Sequence, residues 1–322
     1  MNQLFDFIEE HRWGKWVAGF VLIVAALSPF GFVGPTQALF GPEAPAAAAW
    51  LVIALFAAAL VLNVWLIGLL PFRHQVVLAW MELITLFLVF FWSFDLSYVY
   101  IWERLPYLLG FGLQRGFVMG AVLTLFICFV SIVASTVLAL FASLGRLSSN
   151  GLAYGLSTFY TSFFRGTPLL LQILLVYLGL PQIGLVISPI PSAIIALSLC
   201  YGAYSAEIFR AGIMGVGIGQ REAARALGLR DSTIMRLIVL PQAMRLIVPP
   251  LGNQFIAMLK DSSLVSILGA WELMYMARTH GRAEFKYIEM LISAAMIYWA
   301  MSMTFETTQS RIEAYFGKSD RR

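Results

Sequence analysis

Lys260, Asp261, Ser262 and Ser263 stand side by side at the end of a run that is otherwise apolar apart from Asn253 and Gln254. A cation, an anion and two hydroxyls set deep in an apolar run argue for a polar cavity. The chemistry they offer is charge-assisted hydrogen bonding to a polar solute, Lys260 as donor and Asp261 as acceptor. Thr167 and Tyr204, in two other apolar runs, add hydroxyls of the same use. The competing reading gives these residues a structural role in holding a broken helix. Glu207 and Arg210, three apart on one helix face, read as an ion pair rather than a solute contact.

A second chemistry lies in REAARALGLRDSTIMRLIVLP, Arg221 to Pro241. Gly219 and Gln220 open a short helix containing Glu222, Ala223, Ala224 and Leu227, and Gly228 suits the left-handed position just past its end. Asp231 or Ser232 can cap the next helix. Ile234, Leu237 and Ile238 are then expected on one face of it, and Pro241 is expected to break that helix or bend the chain. This outline fits a DNA-reading helix-turn-helix, a docking element for another protein, or a hairpin with no partner.

Other chemistries find little support. Cys128 and Cys200 lie alone in apolar runs and read as buried thiols, not as a metal site or a disulfide framework. His11, His74 and His280 are scattered. No paired carboxylates or Ser–His constellation suggest an enzyme. A phosphate-cradling loop needs Gly, four residues, then Gly-Lys-Ser/Thr; Gly317-Lys318-Ser319 has Ile312 where the earlier Gly belongs, so no nucleotide or other cofactor is expected in this chain.

The elements that must position these residues follow from composition. Of 322 residues, 60% are hydrophobic and 12% charged, and the mean hydropathy is +0.84. There are too few polar residues to cover such a chain in water, so the lipid bilayer is its expected solvent. Eight runs are long and apolar enough to span it, at about 15–34, 47–70, 76–101, 117–144, 155–180, 190–210, 243–268 and 288–308. An all-α integral membrane protein of about eight transmembrane helices is therefore expected. The fifth run contains Arg165 and Pro168, and the seventh contains Pro249, Pro250 and Lys260, so both read as interrupted helices. Asp6, Glu9 and Glu10 ahead of the first run argue against a cleaved signal peptide. Thirteen of the 21 Lys and Arg fall on the side of the N-terminus, five (Arg104, Arg115, Arg278, Arg282, Lys286) on the other, and Arg165, Arg245 and Lys260 at or within spans. The positive-inside rule then places both termini in the cytoplasm, with 211–242 as the longest cytoplasmic loop. A DNA reader tethered between two spans could not enter a groove freely, so no nucleic-acid partner is expected. Glu82 reads as paired or near an interface, whereas Asp95 is open to a functional reading. Gly112, Gly116 and Gly120 repeat at a spacing that permits close helix approach.

With the spans in place, the loop becomes recognisable. Glu222-Ala223-Ala224, Gly228, Ile238, Leu240 and Pro241 match the signature loop of ABC-importer permeases. RGTPLLLQ (165–172), YGAYSAEIFRAGI (201–213) and LPQAMRLIVPPLGNQFIAMLKDSSLVSILG (240–269) resemble the polar amino-acid uptake permeases of that family, with Ser262 where the family usually has Thr. The likeness runs over about 115–312. It implies a type I importer transmembrane fold with a five-span core, a three-span extension over 1–114 and a polar tail over 313–322. It further implies a loop docked on an ABC ATPase dimer that binds the ATP, a second permease subunit of the same or homologous sequence, a periplasmic amino-acid-binding protein, and residence in a bacterial inner membrane. Thr167, Tyr204, Lys260, Asp261 and Ser262 are then the candidate substrate pathway. An ion-gradient-driven secondary transporter is the alternative; it would need coupling carboxylates and leaves the loop unexplained.

Overall fold

A computed structural model of the protein describes residues 14–30, 33–41, 45–94, 96–111 and 119–317. Asp95, Gly112, Gly116, Arg115 and the acidic residues ahead of the first run lie outside the described residues, as does the tail from Lys318 onward. The regular structure of the described residues is helical, apart from an isolated β-bridge between Gly120 and Glu272. The chain forms two compact units, Met1–Asp95 and Leu96–Arg322.

The first unit contains α1 (Gly14–Leu27), α2 (Val33–Phe40), α3 (Ala46–Gly68) and α4 (Phe72–Trp92). α3 and α4 are long and apolar enough to cross a bilayer, but α1 is not. The first expected span is therefore corrected. Pro29 disfavours helical geometry at Ser28 and offers no N–H, so α1 ends at Leu27 and a 3-10 turn follows over Ser28–Phe30. Glu82 on α4 accepts a 2.7 Å hydrogen bond from Asn63 on α3, the expected pairing with a neighbour.

The second unit runs α5 (Tyr98–Leu109), α6 (Gly120–Arg146), α7 (Gly151–Gly166), α8 (Leu169–Leu174), α9 (Pro189–Gly215), α10 (Ile218–Ala226), α11 (Asp231–Ile234), α12 (Leu240–Asp261), α13 (Leu273–Ala283) and α14 (Tyr287–Gly317). Across the described residues of both units, six helices can cross a membrane, or seven if one bent pair counts as a span, against the eight runs read from the sequence.

α6 shows why an apolar helix still has an inside. Its buried face carries small residues, including Ser131, Ser135, Ala139 and Ala142, while Phe126, Phe129, Val133, Val137 and Phe141 face outward. Lipid tails are as apolar as the outward side chains, so close packing rather than hydrophobic burial selects the inner face. Gly202 of α9 meets this face. A Cβ there would lie 2.5 Å from Tyr160 Oη and 3.0 Å from Leu138 Cβ. Tyr160 donates to the Leu199 carbonyl at 2.8 Å, so its ring tip is not free to retreat. Gly202→Ala is expected to destabilise the unit by about 1–3 kcal/mol, read as a lower apparent midpoint of thermal unfolding in detergent; an unchanged midpoint would show that the helices separate without cost.

The fifth run is broken by a 108° bend between α7 and α8. Pro168 forces Thr167 into extended backbone (φ −116°, ψ 146°). Gln172, buried, covers the freed groups: its amide lies 2.9 Å from the Phe164 carbonyl and 3.0 Å from that of Thr167. The seventh run is not broken. A single 38-residue helical stretch covers Asp231–Leu268 with Pro249 and Pro250 inside it. Gln309 of α14 donates to the Pro249 carbonyl, using space left by the missing side chain of Gly252. This bond ties α12 to α14, and the helix runs through both prolines without a break.

Candidate functional site: a docking hairpin and a polar helix face

The hairpin is α10 and α11 with the turn between them. α10 ends in a Schellman motif: Leu229 N–H donates to the Ala224 carbonyl at 3.2 Å and Gly228 N–H to that of Arg225 at 2.9 Å. Gly228 takes φ +76°, as its place in the sequence demanded, and an added Cβ would meet nothing within 4 Å. The glycine is thus required by backbone conformation, not by crowding within this chain. Ala224 is buried and belongs to one apolar cluster with Ile213, Val216, Ile234, Val239, Ala243 and Ile247, a cluster that joins the hairpin to α9 and α12. The Arg221 guanidinium donates to the Ile213 carbonyl near the end of α9. Glu222 and Ala223 are exposed, as are Leu227 (81%) and Leu237 (65%).

Three local expectations change. Arg230, without a side-chain bond, occupies the N-cap of α11; Asp231 sits one residue inside and pairs with Arg225 at 3.1 Å. Both partners are largely exposed, so solvent screening leaves that pair little stabilising value. Ile234 and Ile238 face inward, but Leu237 does not share their face. A π-turn over Met235–Val239 winds more widely than an α-helix and rotates Leu237 outward. The same turn takes the strain of Pro241: Leu240 N–H reaches back to the Met235 carbonyl, and the helix continues unbroken into α12. Ile238, Leu240 and Pro241 therefore belong to a rigid connection, not to a bend.

The candidate solute-binding residues divide. On α9, Tyr201, Tyr204 and Glu207 recur every three residues. Tyr201 Oη donates to Asp261 Oδ2 at 2.7 Å, its ring lies 6.5 Å from that of Tyr204, and Arg165 lies over the Tyr204 ring at 5.6 Å. Lys260 and Asp261 are exposed on this unit, so a cation and an anion are presented side by side. Ser262 and Thr167 both have their hydroxyls bonded to backbone within the fold. Ser262 is 1% exposed and donates to the Leu259 carbonyl at 2.7 Å; Thr167 donates to the Phe163 carbonyl at 2.9 Å, inside the bend.

Glu207 does pair with Arg210, at 3.0 Å, but it also pairs with Arg165 at 3.2 Å and with Arg146. One carboxylate thus joins α6, α7 and α9. The i,i+3 spacing disclosed the first partner; the other two come from distant sequence and had no local signal. Glu272 was also missed. It is fully buried and caps α13, accepting from Met274 N–H at 2.9 Å, Tyr275 N–H at 2.7 Å and Tyr298 Oη at 3.0 Å. Burial pushes its carboxyl up to about 7, against the opposing pull of those donors and of Arg278. The acid directly before an amphipathic helix was the available signal.

Residues 135–314 match the family described as binding-protein-dependent transport system inner membrane component. The probable amino-acid ABC transporter permease protein YckA of Bacillus subtilis is 42% identical over 190 residues, covering 59% of this chain and 84% of its own length. The arginine transport system permease protein ArtQ of the same organism is 38% identical over 202 residues, 62% of this chain and 92% of its own. The solved structure titled as an amino acid ABC transporter with histidines superposes with a TM-score of 0.63 at 35% identity, covering 69% of this chain and all of that one. A second, the MetNI methionine ABC transporter in an inward-facing form, shares the fold at a TM-score of 0.53 and 20% identity, over 60% of this chain and 93% of its own. A bent-helix core, a helical hairpin joined rigidly to it and these likenesses in both sequence and fold converge, and the chain belongs to the binding-protein-dependent transport system inner membrane components, as an ABC importer permease of the amino-acid type with a type I transmembrane fold.

Proposed function

We propose that this chain is the membrane-spanning subunit of an ATP-driven importer that moves a polar amino acid across the cytoplasmic membrane by alternating access. The hairpin docks in a cleft on a separate ATPase, which binds the ATP; this chain holds no cofactor. Two ATPases, a second permease subunit of the same or homologous sequence and a periplasmic binding protein complete the assembly, with the hairpin and the C-terminal end of this chain in the cytoplasm. The observation that carries the reading is mechanical. The hairpin exposes Leu227 and Leu237, while Ala224 packs it onto α9 and an unbroken helix continues it into α12. A displacement imposed on the exposed side reaches Asp261 on α12 and Tyr201 on α9 without a flexible joint between.

The amino acid passes along the face bearing Lys260, Asp261 and Tyr204. Asp261 offers an acceptor to the ammonium and Lys260 a donor to the carboxylate. The test is uptake, and substrate-stimulated ATPase activity, in the assembled complex. Asp261→Asn and Lys260→Ala are each expected to lower uptake at least about tenfold, the cost of one charge-assisted hydrogen bond. If both variants keep wild-type affinity and turnover, the assignment of this face is wrong. Co-purification of an ATPase with the full chain tests the docking element separately.

A further inference from the structure

Four cations cluster around the junction of α13 and α14, and they are not treated alike. Arg104 pairs with Glu284 at 2.9 Å, and Lys286 pairs with Glu289 at 3.4 Å. Arg278 and Arg282, one turn apart on α13, have no carboxylate within ion-pair distance among the described residues. Both line an open cleft of about 500 Å³. Its other polar walls are hydroxyls: Ser266, which Arg278 approaches at 3.5 Å, Thr279, Tyr275 and Tyr287. Two guanidiniums and four hydroxyls make a donor-rich lining with no carboxylate among the residues that line it. Planar carboxylates match the guanidinium fork, and hydroxyls complete their remaining lone pairs.

We propose that this cleft is a receiving site for a carboxylate of the transported amino acid, on the outer side of the protein. The inference rests on the importer reading and on the charge bias that places α13 outside. The cleft is formed by the 3-10 segment Ser262–Leu268, Gly269, α13 and the start of α14, so it directly follows Lys260 and Asp261 along the chain. A solute released at the outer face would have its carboxylate held by Arg278 and Arg282 before its ammonium reaches Asp261. The same two arginines could instead meet an acidic side chain of the binding protein; that shares the carboxylate chemistry but predicts a different kinetic change.

The test uses the full permease–ATPase complex in proteoliposomes. Uptake of a radiolabelled amino acid is measured against increasing concentration of its loaded binding protein. The amino acid is first chosen by wild-type uptake across the ordinary L-amino acids. For Arg278→Gln combined with Arg282→Gln, the maximal rate is expected to fall at least about tenfold, with the half-saturating concentration of binding protein unchanged. Arg278→Lys combined with Arg282→Lys, which keeps the charge, is expected to recover part of the rate. A raised half-saturating concentration with an unchanged maximal rate would assign the arginines to docking and overturn the proposal. An unchanged profile would overturn it as well. If the double glutamine variant fails to assemble, the single variant Arg282→Gln decides by the same criteria. A wild-type complex that moves no amino acid refutes the importer reading itself; wild-type transport with an indifferent variant refutes this inference alone.

Discussion

Gly228→Asp is expected to cut ATP-driven uptake by more than about tenfold while the chain still folds and inserts. Asp is among the few residues that tolerate left-handed backbone, and the substitution costs on the order of 1 kcal/mol in a turn of this kind. The added side chain meets no atom of this chain within 4 Å. A large loss must therefore arise in a partner cleft, where a carboxylate would occupy space the glycine leaves open beside Leu227. Gly228→Asn, similar in size and in backbone tolerance but uncharged, is expected to fall between wild type and Asp. Gly228→Val, β-branched and strained at φ +76°, is expected to fail through the turn itself. The measurements are uptake in proteoliposomes and retention of the ATPase on purification. Normal uptake with bound ATPase in the Asp variant would remove the hairpin from its docking role.

The order of these elements was legible because each depends on local chemistry. Gly228 announced a left-handed C-terminus, Pro168 a break, and the runs of apolar residues the spans. What was illegible depended on partners or on cooperative geometry. Pro241 and the pair Pro249–Pro250 carry the same local signal as Pro168, yet only Pro168 bends the chain. At Pro241 a π-turn takes the strain, and the pair Pro249–Pro250 lies inside a helix that continues unbroken to Leu268. α1 was overestimated because apolarity continues past Pro29 although the helix does not. Among the candidate solute-binding residues, composition could not separate Ser262, turned inward, from its exposed neighbours Lys260 and Asp261. The convergence of Arg146, Arg165 and Arg210 on Glu207 required three helices to be brought together first.

Glu272 gives the largest expected effect on stability with pH. Its carboxyl stands at about 7 in the fold, above its ordinary value of 4.5, because burial penalises the charge more than its donors favour it. The folded state therefore holds this proton where the unfolded state has lost it. The stabilisation from that difference is fully present below about pH 4.5 and disappears as pH rises through 7. It amounts to about 3 kcal/mol by linkage. Burial, with the charge of Arg104 adding to it, lowers the pKa of His280, which acts in the opposite direction, losing stability as pH falls. Wild type alone would mix the two. Glu272→Gln separates them, since an amide oxygen still accepts from the start of α13, its NH₂ can donate to Tyr298 Oη, and it carries no titratable proton. The variant is expected to match wild type near pH 5 and to exceed it at pH 8, in apparent thermal midpoint in detergent. Glu272→Ala removes the cap and leaves Tyr298 Oη without its acceptor, so it is expected to fall below wild type at pH 5 by about 1–2 kcal/mol. A Gln variant that is less stable than wild type at pH 8, with the same midpoint at pH 5, would mean that the ionised carboxylate stabilises the fold, and that its cap bonds outweigh its burial.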